Sequence, residues 1–287
     1  MQIQTVPLIL SFGVLDPVGA LGIQADQAVF SAFGCHALTV ATGMLIADTA
    51  RVDDLHEIDP DWVADQARVL LEDMPVAAFK VGSIASIEQA TVIAEIVSDY
   101  PDVPLILDPF LSSLPDSGLA DDDMLNAIRS ILVPQAAVLV LSQVELARMA
   151  ETWRDGSGDG MLTADVAEIT GSGCRYVLVT CTGGTGGLPC SNTLYDADGV
   201  VAACDWRHLP GSFLGAGSTL SAAFCTQLAL GAAPADALQT AHDYTCAALA
   251  HAQRLGMGKL VPNKFFGAAH CANPALPPAR LPPSALL

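Results

Sequence analysis

Short apolar runs and amphipathic stretches alternate through the first two thirds of the chain. VPLILSFG (6–13) is an apolar run closed by glycine and reads as a buried strand. HALTVATGML (36–45), AAFKVG (77–82), VPLILDP (103–109), AAVLVLS (136–142) and RYVLVTCT (175–182) have the same character. Helical patterns fill the gaps at 22–34, 59–74, 86–100, 120–133, 143–151 and 163–173. The first carries apolar residues at Ile23, Val29, Phe30 and Phe33 and stops at Gly34, and the second has Asp59 as N-cap and Pro60 at its first position. Acids fill the first turn of the helix expected at 120–133, where the helix dipole favours them. Apolar strands that do not alternate with polar residues imply a parallel sheet buried on both faces, with helices packed outside it.

After residue 182 the rhythm changes. GGTGG (183–187) reads as a turn, and NTLYDADGVVAACDW (192–206) as a hairpin around DADG. GSFLGAGSTLSAAFCTQLALG follows as a glycine-rich turn opening an apolar helix, and a last helix is expected at 235–256. The tail NPALPPARLPPSALL (273–287) is proline-rich and is expected to be disordered. No internal repeat or linker separates these parts. The fold class is therefore a three-layer α/β/α domain over residues 1–272, with a mainly parallel central sheet and a late antiparallel hairpin.

Composition adjusts this picture modestly. Hydrophobic residues make up 52% of the chain and charged residues 15%, enough for a large core. The formal net charge of −19 makes duplex nucleic acid and anionic membrane poor partners. It does not exclude a phosphate-bearing ligand, because backbone N–H groups at a helix start bind phosphate without net positive charge. The eight cysteines show no C-x-x-C spacing and read as reduced thiols, mostly buried. Segments 27–47 and 208–235 lack charge, but Gly, Ser, Thr, Gln, His and Pro interrupt them, so they read as core elements rather than membrane spans. No secretory signal pattern is visible at the N-terminus, and a cytoplasmic protein is expected.

In open α/β sheets ligands bind beyond the carboxyl ends of the strands. Those positions here are Asp16, Asp48, Gly82, Asp108, Ser142, Thr180 and the 211–218 turn. The turn is neither a P-loop, since GAGSTL lacks the lysine, nor a dinucleotide fingerprint, since it comes late in the chain. Its glycines allow close approach, and the successive N–H groups of Ala216, Gly217 and Ser218 suit an anion.

DPVGALGIQAD (16–26) resembles the D-P-S-G-G-A-G-I-Q-A-D signature of phosphomethylpyrimidine kinases. The resemblance continues in order through QAVFSAFGCHALTVAT, FKVG (79–82), LDP (107–109), the Ser142 to Glu145 stretch and GAGSTLSAAF (215–224), and so covers about residues 6–260. It places the chain near the vitamin-kinase branch of the ribokinase-like superfamily, which includes pyridoxal kinases. The resemblance implies a kinase that moves the γ-phosphoryl group of ATP, with Mg2+, to a substrate hydroxymethyl group. It implies that Gly215, Ala216 and Gly217 form the anion hole and that Ser218 stands at the base position. Glu145 and Asp108 would serve magnesium, and Asp16, Gly19, Ala47, Ser83 and Asp108 would line the substrate side. Thr180, Thr182, Ser142 and the 205–213 loop would meet the nucleotide. A homodimer is expected by analogy.

The departures from the family pattern lie at the chemistry. Aspartate or cysteine follows the glycine turn in relatives, and here it is Ser218, which either caps the helix or bonds the substrate hydroxyl. The glutamine that contacts the pyrimidine aligns with Ala47, the methionine after K-I-G with Ser83, the asparagine of N-x-x-E with Ser142, and a lysine with Thr180. Two readings follow: an active kinase with altered substrate choice, or a weakened ligand-binding or regulatory paralogue. Within the first, hydroxymethylpyrimidine or its phosphate precedes pyridoxal as substrate. The scattered histidines, none paired with Cys or Asp at metal spacing, read as ordinary surface or core residues. Asp121, Asp122 and Asp123 read as a helix start, and Cys225 and Cys246 as core.

Overall fold

A computed structural model describes residues 6–109, 122–150, 161–182, 190–206 and 209–267. The expectations for the GGTGG turn, Asp121, His208, His270 and the 273–287 tail lie outside those residues. The elements run β1 (Leu8–Leu15), α1 (Gly22–Ala32), β2 (His36–Ala47), β3 (Val52–Glu57), α2 (Pro60–Asp73), β4 (Ala78–Val81), α3 (Ile87–Ser98) and β5 (Leu105–Leu107). Then follow α4 (Asp122–Ala127), β6 (Val138–Ser142), α5 (Gln143–Ala150), α6 (Met161–Gly171), β7 (Tyr176–Thr182), β8 (Ser191–Asp196), β9 (Gly199–Asp205), α7 (Ala216–Ala229) and α8 (Pro234–Ala250).

The strands form one sheet in the order β3-β2-β1-β4-β5-β6-β7-β8-β9. The run from β2 to β7 is parallel, and β3, β8 and β9 pair antiparallel at the two edges. Alternation along each parallel strand divides the core in two. Leu10, Phe12, Leu105, Leu107, Leu139 and Leu141 pack with α2 to α6 on one face. Ile9, Ile106, Val138 and Val140 pack with α1, α7 and α8 on the other. This is the three-layer arrangement expected from apolar strands separated by amphipathic helices. The chain reverses direction across the sheet between β1 and β4, and the carboxyl edge there is where such sheets open a crevice.

Local chemistry accounts for the element ends. The Asp59 carboxylate accepts the N–H of Asp61 with Pro60 at the first helical position, as expected. Ser86 caps α3 through the N–H of Gln89. Three elements differ from the expectation. The edge strand β3 was not foreseen: VDDLHE is largely exposed, so its sequence carries little apolar signal and its pairing with β2 rests on backbone hydrogen bonds. The helix expected at 120–133 is α-helical only to Ala127, and a π turn (Ile128–Leu132) and a 3-10 turn (Val133–Gln135) follow. Pro134 has no N–H to donate back to Ser130, so the α pattern cannot continue through it. The last helix stops at Ala250 rather than Gly256, because Gln253 exchanges backbone hydrogen bonds with Val261. The strap that this creates, residues 251–267, crosses back over the loop between β1 and α1.

Candidate active site

The carboxyl ends of β5, β6 and β7 face the N-termini of α5 and α7 across a cleft. Asp108, Ser142, Glu145, Thr180 and the Gly215–Ser218 turn line it. A smaller adjoining pocket shares Asp108 and Ser218 with the cleft and reaches Lys80, Gly82 and Ser83. Residues far apart in sequence thus meet because each sits at or just beyond the end of a parallel strand or at the start of a helix.

The turn before α7 has a specific construction. Gly215 is the N-cap, in the left-handed region at φ 85°. A Cβ there would lie 2.0 Å from the carbonyl oxygen of Ala20, so only glycine allows the α1 loop to press against this turn. Gly217 lines the cleft, and beyond its chain neighbours and its own helical turn nothing lies within 4 Å of where its Cβ would be. Gly215 has no side chain to cap the first amides of the helix. Of the two roles open to Ser218, capping is overturned: Gly215 holds that position, and Ser218 lies in the first turn, buried and bordering both pockets.

Across the cleft, Ser142 and Glu145 form a reciprocal capping box. The Ser142 N–H donates to Glu145 Oε2 at 2.6 Å, and the Glu145 N–H donates to Ser142 Oγ at 3.3 Å. The pair fixes the rotamer of Glu145 and presents a carboxylate to the cleft.

Asp108 stands between the two pockets. Its Oδ2 accepts the Ser221 hydroxyl and lies 3.7 Å from Lys80 Nζ. Burial pushes the Asp108 carboxyl above the usual range, opposed by Lys80 and the Ser221 bond, and Glu145 adds to the rise. Lys80 is a fully buried ammonium. Its Nζ lies 3.0 Å from Asp26 Oδ1, and Asp26 Oδ2 also accepts the Ser11 hydroxyl at 2.6 Å. Burial works against the lysine charge, but Asp26 and Asp108 more than offset it and hold Lys80 above its ordinary range.

The substrate-side residues named from the sequence divide. Ser83 and Asp108 border the pockets. Asp16 is spent on its own loop: its carboxylate accepts the N–H groups of Val18, Ala20 and Leu21 at 2.8–2.9 Å. Gly19 has φ 70°, and its carbonyl accepts Lys264 Nζ at 3.3 Å. Ala47 is at the end of β2 against Val14, Leu45 and Val52 and borders neither pocket. Of the nucleotide-side threonines, Thr180 lines the cleft, whereas the buried Thr182 hydroxyl bonds to the Ser191 carbonyl and lies 2.8 Å from Thr193 Oγ1.

Sequence reading missed Lys80, Asp26 and Lys264. A lysine inside the buried run AFKV was the available signal for the first, since a charge in a doubly covered strand needs partners. Lys264 carried no such signal, because only the fold of the strap buries it; that burial lowers its ammonium to about 8, against the pull of Asp16 and Asp26. Among the histidines, His242 proves to be buried, with Nε2 3.4 Å from Cys246 Sγ. Cys225 is core as expected, and Cys246 is only half-buried. Among the described residues no group of three or more His, Cys, Asp or Glu could hold a metal ion. No helix among them is long and apolar enough to cross a membrane.

A mainly parallel three-layer sheet with its cleft at the strand ends, lined by an uncapped helix start and two carboxylates, defines an α/β protein of the ribokinase-like class. More narrowly, the chain belongs to the phosphomethylpyrimidine kinase family, whose model matches residues 16–263. The hydroxymethylpyrimidine/phosphomethylpyrimidine kinase of Rhizobium meliloti is 30% identical over 251 residues, covering 87% of this chain and 93% of that protein. The Escherichia coli enzyme of the same name is 27% identical over 249 residues, with 87% and 93% covered. Among solved structures, an ADP complex of Bacillus subtilis pyridoxal kinase shares the fold with a TM-score of 0.80 at 21% identity, covering 91% of this chain and 98% of that one. The phosphomethylpyrimidine kinase of Clostridium difficile matches with a TM-score of 0.67 at 24% identity, covering 84% and 98%.

Proposed function

We propose that this chain transfers the γ-phosphoryl group of ATP to the hydroxymethyl group of a vitamin-precursor ring, with hydroxymethylpyrimidine or its phosphate as first substrate. The observation that carries the reading is the α7 start, where Gly215–Ser218 presents uncapped backbone amides to a cleft also bordered by Asp108 and Glu145. Phosphoryl transfer needs positioning and charge neutralisation more than covalent chemistry. The amides of Ala216, Gly217 and Ser218 receive the transferring group, and the open space at Gly217 leaves it room. Thr180 and Ser142 border the nucleotide side, and Ser83 the ring side. Lys80, itself paired with Asp26, lies 3.7 Å from Asp108 and helps hold it in place. Ser218 orients the substrate hydroxyl rather than acting as a strong base, since an unassisted hydroxyl accepts a proton poorly.

Asp108 and Glu145 suit magnesium, an ion commonly held by one or two carboxylates together with substrate phosphates and water. When bound, the ion neutralises phosphate charge. The family names and the sequence identities of 27–30% support the pyrimidine substrate, and the fold shared with pyridoxal kinases keeps pyridoxal as the second reading. Ser83, which borders the smaller pocket, differs from the family pattern at a ring contact, and this supports a ring with different substituents.

The test is product formation from Mg-ATP with hydroxymethylpyrimidine, its monophosphate and pyridoxal, each product identified by mass. Phosphorylation of the pyrimidine supports the first reading, and phosphorylation of pyridoxal alone selects the second. No product from any of the three, with nucleotide bound, points to a ligand-binding paralogue.

A further inference from the structure

Cys181 is the only non-glycine among the described residues with a positive φ, at 56°. It sits in a bulge: between the pairs Val179↔Thr193 and Thr182↔Ser191, β7 carries one residue more than β8. The Cys181 N–H reaches the Asn192 side chain at 3.3 Å, which holds the bulge in place. Counted from the Thr182↔Ser191 pair, Cys181 and Cys190 are diagonal neighbours on one face of the sheet. The Cys190 thiol lies near enough to that of Cys181 to raise its pKa. Cys181 is exposed and Cys190 half-buried, whereas Cys35, Cys174, Cys204 and Cys225 are buried. The pair follows Thr180, which lines the cleft.

We propose that Cys181 and Cys190 are a redox modification site, closing into an intramolecular disulfide that pins the cleft-side end of β7. The oxidant is a low-molecular-weight disulfide such as oxidised glutathione. The Cys181 thiolate attacks one of its sulfurs, forming a mixed disulfide and releasing one glutathione thiolate. The Cys190 thiolate then attacks the Cys181 sulfur, closing the protein S–S bond and releasing the second glutathione. The two cysteine protons end on the two glutathione thiols, and one disulfide is reduced as the other forms. Partial desolvation of the sulfur within this exposed residue, together with the adjacent Cys190, pushes the Cys181 thiol up to about 12. Closure is therefore slow near neutrality and quickens by up to about tenfold per pH unit, because the thiolate is the attacking species. The chemical step stands on the two thiols alone; its effect on ligand binding rests on the proposed nucleotide reading.

The experiment treats the full chain with oxidised glutathione, blocks remaining thiols and maps peptides by mass spectrometry, alongside Cys190→Ser. The expected result is a Cys181–Cys190 cross-link in the native chain and glutathione retained on Cys181 in the variant. A native chain in which both thiols stay free, or in which glutathione accumulates on Cys181 without closure, overturns the proposal. ADP titration of the reduced and oxidised forms is expected to differ by at least about fivefold in affinity. Equal affinities overturn the coupling to the cleft. A reduced protein that binds no ADP overturns the nucleotide reading, while the peptide map still decides the disulfide.

Discussion

Two helix starts face each other across one cleft and solve the same problem in opposite ways. The start of α5 ties up the amides of Ser142 and Glu145 through their reciprocal box. The start of α7 has Gly215 at its cap and no side chain to cover its amides. Every α-helix leaves its first N–H groups without partners inside the helix. A start that is capped gains stability and carries its charge outward, whereas one left open keeps its donors for a ligand. In this protein the capped start presents a carboxylate and the open start presents N–H groups. That opposition is what a phosphate with an accompanying cation requires.

The largest effect is expected where the open start is held. Gly215→Ala places a methyl against the Ala20 carbonyl in a left-handed conformation, and the turn or the α1 loop must shift. A loss of about 4 kcal/mol in urea unfolding is expected, since backbone strain and overpacking act together. Unchanged stability would show that the contact with Ala20 does not fix the turn.

The loop on the other side of that contact is held by the strap. Lys264 Nζ bonds the Gly19 carbonyl, and burial lowers its ammonium from 10.5 to about 8. Between those values the unfolded chain binds the proton and the folded chain does not. Stability therefore rises with pH from about 8 to 10.5 and is lost as pH falls through 8. Lys264→Met should remove that pH dependence and raise stability at pH 7 by about 2 kcal/mol, the lost hydrogen bond offsetting part of the gain. A variant that keeps the alkaline rise shows that another group is responsible.

Smaller effects separate the two jobs of the capped start. Ser142→Ala is expected to cost about 1 kcal/mol of stability, the usual weight of an N-cap. Glu145→Gln keeps a side chain that serves a capping box and should change stability by only a few tenths of a kcal/mol. Under the proposed function it lowers turnover by about a hundredfold, through the charge removed from the cleft. Turnover left unchanged by Glu145→Gln would make Glu145 a cap and nothing more.

Much of this comparison was legible in the sequence, and its limits have physical causes. The parallel strands showed themselves because a sheet covered on both faces must be apolar, as in Val138–Ser142 and Tyr176–Thr182. Asp108, Ser142, Glu145, Thr180 and the glycine turn could be located because strand ends and helix starts leave local marks. What escaped depends on contacts distant in sequence. Asp16 appeared to be a ligand contact, yet its oxygens are taken by the loop amides of Val18, Ala20 and Leu21. Ala47 ends β2 beside an edge strand whose acidic sequence concealed it. Lys80 and Asp26 are 54 positions apart and are paired only by the packing of α1 on the sheet. No periodicity or spacing reports such a pair.

The central claim is that the open start of α7 holds a phosphoryl group, and Gly217→Asp tests it most directly. The new carboxylate enters empty space at a position with no backbone strain, in the first turn, where the helix dipole favours negative charge. It also occupies the place assigned to phosphate. Thermal unfolding and calorimetric titration with AMP-PCP, a non-hydrolysable ATP analogue that keeps the γ-phosphoryl group, would be measured on the native chain and the variant together. The account predicts an equal or higher melting temperature with AMP-PCP affinity reduced at least about tenfold, the cost of one displaced charge-assisted contact. A folded variant that binds AMP-PCP as tightly as the native chain would contradict it.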